Sequence, residues 1–421
     1  MPKVLDKLYE KSSMKIHLFF NHFHPDALAG ASLFTDLAIF LLVQGNDVRV
    51  TTTFPFYPAW KLRESDVGVS FRDETYAGLR IRRLSIYVPP KPTGLKRILS
   101  DLSFFRSMLA RGNFPGWTPD VVLTTSPLFS QCLVQRFLYL GKNVPRVIVV
   151  QDFVIDAAIE LKMLSFPGIS QLLRMVERWA YNSARTLITI SEPMLVKLRQ
   201  KVHANRRVVL LPNWIHKSLR TEIDAQQPIP ISRQPATLLY AGNVGVKQGL
   251  PDFIDVFSAC DGTWKLQIHG GGADVERLLV HAANVPSVTI GGVLDEPEYV
   301  DALRTATACL VTQKAGVGAN FLPSKLLPAL ATGTPVLAVC DSASPLGKEV
   351  LEGGFGEVVE PGDLSNLTAV LRRWHDDPRL LAEMSIRSKA RAALYSRDRI
   401  LSLYEQELQS LVDSNTRHGA C

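Results

Sequence analysis

A segment in the last third of the chain combines glycines, a hydroxyl and an ammonium in the spacing of an anion site. Residues 316–327 read GVGANFLPSKLL, which predicts a glycine-rich loop and then a helix that starts between Pro323 and Lys325 and ends at Gly333. The free N–H groups of a helix start attract an anion, and Ser324 and Lys325 would add a donor and a full charge. Ordinary helix capping gives the same pattern, so the segment alone leaves both interpretations open.

Two further glycine-rich loops in the same half each follow a predicted strand. Residues 242–250 read GNVGVKQGL after the strand at 237–241, and residues 270–272 are three glycines after the strand at 265–269. Such loops let several N–H groups converge on a phosphate, while Lys247 supplies charge. Together the three loops predict a diphosphate nucleotide in a cleft that faces the first half of the chain.

The first half has its own candidate residues near the ends of predicted strands. Gly30 lies at a helix entrance, where it either admits a ligand or is a plain turn glycine. His24 is a ligand contact or an ordinary loop histidine. Asp152 and Asp156 follow the strand at 146–150, so their carboxylates would meet sugar hydroxyls, take a proton, or cap a helix. The pattern favours a functional role over helix capping for Asp152 and does not decide between the two for Asp156.

The elements that must position these residues predict an α/β protein with two doubly wound domains. Apolar strand-like runs alternate with helical segments throughout, which is typical of parallel sheets. The first loop lacks Gly-x-Gly-x-x-Gly, and the second strand ends in threonines, which argues against a dinucleotide site. The predicted strands are 15–20, 47–53, 79–86, 121–125, 146–150, 186–190 and 208–211, then 237–241, 265–269, 287–290, 308–312, 335–339 and 357–359. The predicted parts are a first domain at 14–215, a linker at 216–235, a second domain at 236–395 and a C-terminal helix and tail at 396–421.

Composition adds expectations about compartment and partners. The 421 residues contain five scattered cysteines and no export signal or long apolar run, which predicts a cytoplasmic protein with reduced thiols. Residues 1–220 carry 30 Lys and Arg against 16 Asp and Glu, whereas residues 221–421 carry 17 against 24. The basic half suggests an anionic membrane surface, since no nucleic-acid-binding motif is present. The segments 95–111 and 161–179 are basic and amphipathic, so they lie on a membrane or face the core.

With these motifs the chain resembles two-domain glycosyltransferases of the GT-B fold, in glycosyltransferase family 4. It is most similar to the bacterial exopolysaccharide (colanic-acid-type) and O-antigen members, from Met14 onwards. The motifs that carry the resemblance are Ala29-Gly30, LPNW at 211–214, YAGN at 240–243, KQGL at 247–250, GGG at 270–272, LPSKL at 322–326 and ATGTPV at 331–336. The resemblance implies two Rossmann-like domains facing each other across a cleft, and we expect the C-terminal helix to cross back to the first domain.

The resemblance also implies a reaction and a set of roles. The family transfers a sugar from a nucleotide diphosphate with retention, and we expect no cofactor and no obligatory metal. The expected catalytic residues are Lys247, Lys325 and Asp152. The expected donor-binding residues are Gly242, Asn243, Gln248, Gly271, Asn320, Leu322 and Ser324. The expected acceptor-side residues are Gly30, His24 and Asp156.

This chain departs from the family at its charged positions. Asn243 and Gln248 stand where many members have arginine and lysine, and Asn320 and Pro328 stand where the paired glutamates fall. Pro328 also lies inside the predicted helix, which predicts a kink or a late helix start.

The leading hypothesis is a hexosyltransferase that acts on a lipid-linked saccharide in exopolysaccharide, capsule or O-antigen synthesis. It would bind peripherally at the inner face of the cytoplasmic membrane. The alternatives are a non-hydrolysing nucleotide-sugar epimerase and an inactive nucleotide-sugar-binding component of a polysaccharide assembly complex.

Overall fold

The computed structural model describes residues 13–26, 29–57, 59–91, 94–126, 129–160, 167–225, 236–260, 262–318 and 322–419. Within these ranges the chain forms two α/β domains, each built on one largely parallel sheet. Each helix in these ranges is too short or too polar to span a lipid bilayer. The cysteines Cys132, Cys309 and Cys340 are buried thiols, as their apolar surroundings predicted.

The first domain contains an eight-stranded sheet in the order β3-β4-β2-β1-β5-β6-β7-β8. Its strands are β1 (Lys15–Phe19), β2 (Asp47–Thr53), β3 (Phe71–Tyr76), β4 (Leu79–Leu84), β5 (Val121–Ser126), β6 (Arg146–Val150), β7 (Thr186–Thr189) and β8 (Arg207–Leu210). Its helices are α1 (Ala29–Val43), α2 (Gly94–Arg111), α3 (Phe129–Leu138), α4 (Val154–Glu160), α5 (Pro167–Asn182) and α6 (Glu192–Lys201). The central strands β1, β5 and β6 are largely buried because helices cover both faces of the sheet.

All seven strands predicted for the first domain are present, but the prediction missed β3. This edge strand pairs antiparallel with β4, from Phe71 opposite Leu84 to Tyr76 opposite Leu79. Its sequence FRDETY has no buried residue, so it lacks the apolar run by which the other strands were recognised. It is held instead by its ladder and by ion pairs such as Arg82 with Asp73.

The second domain contains a six-stranded parallel sheet in the order β11-β10-β9-β12-β13-β14. All six predicted strands are present: β9 (Ala236–Ala241), β10 (Trp264–His269), β11 (Val288–Gly291), β12 (Ala308–Thr312), β13 (Val336–Val339) and β14 (Gly356–Val359). The helices that follow the first domain are α7 (Lys217–Ala225), α8 (Leu250–Ser258), α9 (Val275–Ala282), α10 (Glu296–Thr305), α11 (Leu326–Thr332), α12 (Pro345–Gly353), α13 (Leu364–Asp376), α14 (Pro378–Ala392) and α15 (Arg397–Gly419).

The segment between the domains is not entirely irregular. Its first part forms α7, and Leu219 of this helix is buried in the second-domain core beside Ile215. The rest of the predicted linker, 226–235, lies outside the described residues. The second domain therefore begins to pack before its first strand.

The C-terminal helix α15 returns to the first domain, as expected. Its side chains Ile400, Leu401, Tyr404 and Leu408 are buried in the core that also contains Trp214. The rings of Trp214 and Tyr404 meet edge to face, with centroids 5.6 Å apart. The helix α15 therefore packs on the first domain, although it follows the second domain in the chain.

We expect Tyr404→Ala to lower the free energy of unfolding by about 3–5 kcal/mol, because it leaves a cavity under α15. The Tyr404 hydroxyl is buried without a hydrogen-bond partner among the described residues. Tyr404→Phe is therefore the matched control and should be neutral or stabilising. Urea unfolding measures both variants, and equal losses would show that the hydroxyl, not the ring, matters.

Candidate active site

The two glycine loops after β9 and β10 pack against each other through their backbones. The Gly242 N–H donates to the His269 carbonyl at 2.9 Å, and the Val244 N–H donates to the Gly271 carbonyl at 2.9 Å. Gly270 has φ +152°, and a Cβ there would lie 1.9 Å from the Gly242 carbonyl oxygen. Position 270 therefore requires glycine, because any side chain there would overlap the backbone of the neighbouring loop. The predicted phosphate contact of this edge stays a prediction.

Lys325 lies immediately before α11 and reaches under the first of these loops. Its Nζ lies 3.4 Å from the centre of the Tyr240 ring. A Cβ on Gly242 would be 3.4 Å from the same Nζ. This nitrogen is buried and has no hydrogen-bond acceptor among the described residues. Burial lowers the pKa of Lys325 from 10.5 to about 7. A bound anion would therefore give the Lys325 Nζ the hydrogen-bond acceptor that it lacks, and would favour its charged form.

Lys247 and Asp152 come together from different domains. Asp152 follows β6 in the first domain, and its Oδ2 lies 3.7 Å from the Lys247 Nζ in the loop after β9. Burial between the domains raises the pKa of Asp152, while Lys247 acts in the opposite direction. The structure thus joins two predicted catalytic residues in an ion pair across the cleft.

The side chains of the loop after β9 largely hold the loop itself. The Gly245 N–H donates to Gln248 Oε1 at 3.1 Å, and the Tyr240 hydroxyl donates to the Asn243 carbonyl at 2.6 Å. The Thr312 hydroxyl donates to the Gln248 carbonyl at 2.6 Å. Of the two residues predicted to bind the donor, Gln248 thus holds the loop through its side chain, whereas Asn243 contributes its backbone carbonyl.

The segment before α11 accounts for three more predicted donor-binding residues. Leu322 is partly buried and packs against core residues of both domains. Ser324 is exposed in the turn before α11, and Asn320 lies outside the described residues. The segment therefore lies where the two domains meet.

The helix α11 begins one residue later than predicted, at Leu326, and ends at Gly333 in the left-handed conformation with φ +75°. Pro328 is its third residue, where a backbone N–H has no intrahelical partner. The proline is accommodated by this late start.

Gly30 and His24, predicted to lie on the acceptor side, have different surroundings. Gly30 is in the first turn of α1, and a Cβ there would meet no atom within 4 Å, so packing does not require glycine. His24 stacks on Tyr76 with ring centroids 3.9 Å apart. Burial, and secondarily the Arg83 guanidinium, lowers the pKa of His24.

Asp156 is committed to an ion-pair network inside the first domain. Its Oδ2 lies 3.1 Å from the Lys197 Nζ and 2.8 Å from the Lys201 Nζ. Burial alone would raise the pKa of Asp156, but the two ammonium groups lower it. Asp156 therefore ties α4 to α6, and its predicted contact with the acceptor stays a prediction.

Sequence reasoning included Tyr240 in the YAGN motif but gave it no role, and it did not predict a cavity at the same edge of the second sheet. Tyr240 reads as one more apolar strand residue, and only its position under Lys325 reveals a role. The cavity has a volume of about 240 Å³ and is bounded by Gly249, Thr312, Lys314 and Glu360 with an apolar wall that includes Phe253. Its lining comes from five helices and strands and the loops beside them, so no local motif marks it. Among the described residues, no group of three His, Cys, Asp or Glu side chains is placed to hold a metal ion.

Comparisons with known proteins agree with this architecture. Residues 36–214 match the family model described as glycosyl transferase 4-like domain. The chain is 27% identical over 380 residues to a protein of Escherichia coli (strain K12) named colanic acid biosynthesis glycosyl transferase WcaI, covering 86% of this chain and 92% of that protein.

Solved structures share the whole two-domain fold. Sucrose-phosphate synthase from Thermosynechococcus elongatus superposes with a TM-score of 0.74 at 17% identity, covering 95% of this chain and 100% of that chain. Anabaena HepE in complex with UDP-glucose superposes with a TM-score of 0.65 at 14% identity, covering 94% and 100%. At these identities the likeness shows the fold.

We expect Gly270→Ala to destabilise the protein by about 2–4 kcal/mol, because the new methyl group meets a carbonyl oxygen and the residue must keep a strained φ. Gly271→Ala is the matched control, since its Cβ would meet only Val293 Cγ2 at 3.5 Å. Urea unfolding should give less than about 1 kcal/mol for the control. Similar losses in both variants would contradict the close approach of the two loops.

Proposed function

We propose that this chain, a glycosyltransferase with the GT-B fold, transfers a sugar from a nucleotide diphosphate to a saccharide acceptor in the synthesis of a bacterial surface polysaccharide. The observation that carries the proposal is the buried Lys325 Nζ under the Gly242 loop, which has no hydrogen-bond partner among the described residues. The name of the WcaI relative supports a polysaccharide pathway, and the UDP-glucose in HepE supports a nucleotide sugar as donor.

The chemistry of the proposal follows from where the positive charge lies. When the bond between the sugar and the diphosphate breaks, negative charge grows on the leaving phosphate oxygen. Lys325 becomes protonated beside this oxygen, and the N–H groups of the glycine loops add fixed dipoles. The two lysines Lys247 and Lys325 then supply the charge that the family's arginine and lysine supply elsewhere.

Asp152 has a complementary role in this scheme. In the free protein it pairs with Lys247 across the cleft. A donor phosphate would draw Lys247 away, and the Asp152 carboxylate would then accept a hydrogen bond from an acceptor or donor hydroxyl. We include retention at the anomeric carbon in the proposal on the strength of the family resemblance, with Gly30 and His24 on the acceptor side.

The acceptor side also carries an exposed apolar surface, which we call the α2–α5 surface. It consists of large apolar side chains on three neighbouring helices, namely Ile98, Leu99 and Leu102 on α2, Phe137 on α3, and Leu172, Met175 and Trp179 on α5. The Phe137 ring lies edge to face with the Trp179 ring, 6.4 Å between centroids, so the surface is continuous. Exposed arginines, including Arg106 and Arg174, lie among these residues.

This surface has the composition of a membrane-binding face. The sequence left open whether 95–111 and 161–179 face a core or a membrane, and in the described part both helices keep apolar side chains in water. Apolar side chains with interspersed arginines suit an anionic lipid interface. The proposal therefore includes peripheral binding at the inner face of the cytoplasmic membrane and a lipid-linked saccharide as acceptor.

Sugar transfer is tested by calorimetry with a panel of nucleotide sugars and by product analysis with and without polyprenyl-diphosphate-linked acceptors. We expect Lys325→Met to weaken donor binding about 10- to 100-fold, since a charge-assisted contact of about 1.5–3 kcal/mol is lost. Lys265→Met, at an exposed strand position, is the matched control and should bind normally. Product formed without acceptor would indicate an epimerase, and donor binding without turnover an inactive binding protein. Either outcome, or normal binding by Lys325→Met, would contradict the proposal.

The pH dependence of donor binding gives a separate prediction. With a pKa of about 7, Lys325 is mostly neutral above that pH, and a diphosphate beside it raises the pKa because it favours the charged form. Binding then takes up a proton, so affinity should fall as pH rises from 7 to 9, by up to about tenfold per pH unit. Below pH 7 this lysine contributes no pH dependence.

Calorimetry of a nucleotide sugar in buffers of different ionisation enthalpy measures the proton uptake directly. A nucleotide sugar suits the test because its diphosphate is a diester and does not titrate in this range. Lys325→Arg stays charged throughout and should bind without the pH dependence. Proton uptake that persists in this variant would assign the titration to another group.

Membrane binding is tested by sedimentation with vesicles of phosphatidylglycerol and phosphatidylcholine. We expect Leu172→Gln/Met175→Gln to reduce binding about tenfold or more, because burial of each side chain at the interface contributes about 1 kcal/mol. The matched control Val280→Gln/Ile386→Gln changes exposed apolar residues of the second domain. Raising the salt concentration should weaken binding of the unmodified chain. Binding that is insensitive to both salt and the α5 substitutions would contradict this surface.

A further inference from the structure

A second pocket lies at the amino ends of the strands of the first sheet, whereas the candidate active site lies at their carboxyl ends. It forms where the chain enters β6, β7 and β8, and where α3, α5 and α15 end, and its volume is about 360 Å³. The residues that line it are Arg136, Asn143, Val144, Pro145, Arg146, Asn182, Ser183, Arg185, Asn205, Arg206 and Asn415. These are amino ends of parallel strands, whereas Asp152 and the cleft lie at the carboxyl ends. The length of a five-residue strand, about 16 Å, separates the two regions.

The lining of this pocket gathers four arginines and no carboxylate. Arg146 Nε donates to the Ser183 carbonyl at 2.8 Å, and Arg185 Nη1 donates to Asn415 Oδ1 at 3.1 Å. Both partners are neutral. Arg206 Nε is buried and has no hydrogen-bond partner among the described residues. The positive charge of the pocket is therefore not balanced by its own lining.

The crowding of like charge is visible in the ionisation of Arg146. Burial lowers its pKa, and the neighbouring Arg136 and Arg206 lower it further. By contrast, the next residue in the chain, Arg207, has Glu407 of α15 at 2.6 Å. Arg207, outside the pocket, thus has a carboxylate partner, whereas the four arginines of the lining have none among the residues that the structure describes.

Such an arrangement costs stability unless an anion fills it. Guanidinium groups bind phosphoryl oxygens through paired N–H donors, and several guanidiniums suit a group with several oxygens and more than one negative charge. A carboxylate offers two oxygens and one charge, which matches four arginines less well. The chemistry of the lining therefore selects a phosphoryl group.

We propose that this arginine pocket binds a phosphoryl group at a site separate from the donor cleft. The ligand contacts Arg136, Arg146, Arg185 and Arg206, and it also engages α15 through Asn415. Arg136 is next to Phe137 of the α2–α5 surface, so the phosphoryl group comes either from a lipid headgroup at that surface or from a free phosphate compound. The proposal concerns binding alone and does not rest on sugar transfer.

The test uses the full chain with the double variant Arg136→Gln/Arg206→Gln. Its matched control is Arg199→Gln/Arg399→Gln, which removes the same charge at exposed positions outside the lining. The free-phosphate arm measures the thermal midpoint and calorimetric affinity with inorganic phosphate and with diphosphate. The Lys325→Met background is used there, so that a diphosphate response reports the arginine pocket. The lipid arm measures sedimentation with vesicles containing phosphatidylglycerol against vesicles of phosphatidylcholine alone.

We expect the pocket variant to lose at least tenfold in affinity in one arm, while the control keeps the response of the unmodified chain. Loss in the free-phosphate arm identifies a free phosphoryl compound, and loss in the vesicle arm alone identifies a lipid headgroup. The single variant Arg136→Gln, at an exposed position, guards against misfolding and should show part of the same loss. Equal behaviour of the pocket and control variants in both arms would overturn the proposal.

Discussion

One carboxylate joins the two places where the chain crosses between the domains. Asp36 of α1 accepts a hydrogen bond from Trp214 Nε1 at 3.0 Å, at the point where the chain leaves the first domain. The same carboxylate binds Arg397 at 2.8 Å, where α15 returns. Because Asp36 is almost fully buried, losing Arg397 would leave its charge without an ionic partner, and losing Trp214 would remove a hydrogen bond from the same carboxylate. This cluster therefore connects the end of the first domain to the start of α15.

Two lysines of the second domain lie at the cleft in different surroundings. Lys325 has a lowered pKa and lies against the Tyr240 ring, and Lys247 forms a partly exposed ion pair with Asp152 of the other domain. A buried cation–aromatic contact contributes about 2 kcal/mol, and a partly exposed ion pair contributes about 1 kcal/mol or less. Neither would be a strong competitor for a diphosphate, which offers several oxygens and two charges. In the free protein, the contacts of both lysines are therefore weak enough for a diphosphate to replace them.

The sequence predicted whatever depends on local pattern, and missed whatever depends on contacts between distant segments. Apolar runs between glycine-rich turns revealed thirteen strands, and the strand–glycine–helix order located the loops of the site. β3 escaped because an exposed edge strand carries no apolar run. The position of Tyr240 under Lys325 depends on how β9 packs against the start of α11, and the Asp152–Lys247 pair depends on how two domains face each other. Neither arrangement has a signature along the chain, and amphipathic patterns alone did not decide which apolar faces of α2 and α5 stay in water.

The position of Leu322 links the contact between the domains to the position of Lys325. This side chain packs into the cores of both domains, only three residues before Lys325. Any hinge motion that separates the domains must withdraw Leu322 from one core, at a cost of about 1 kcal/mol for half of a leucine side chain. Because only two residues lie between Leu322 and Lys325, a motion that draws Leu322 out of the second-domain core would also move the Lys325 ammonium away from Tyr240.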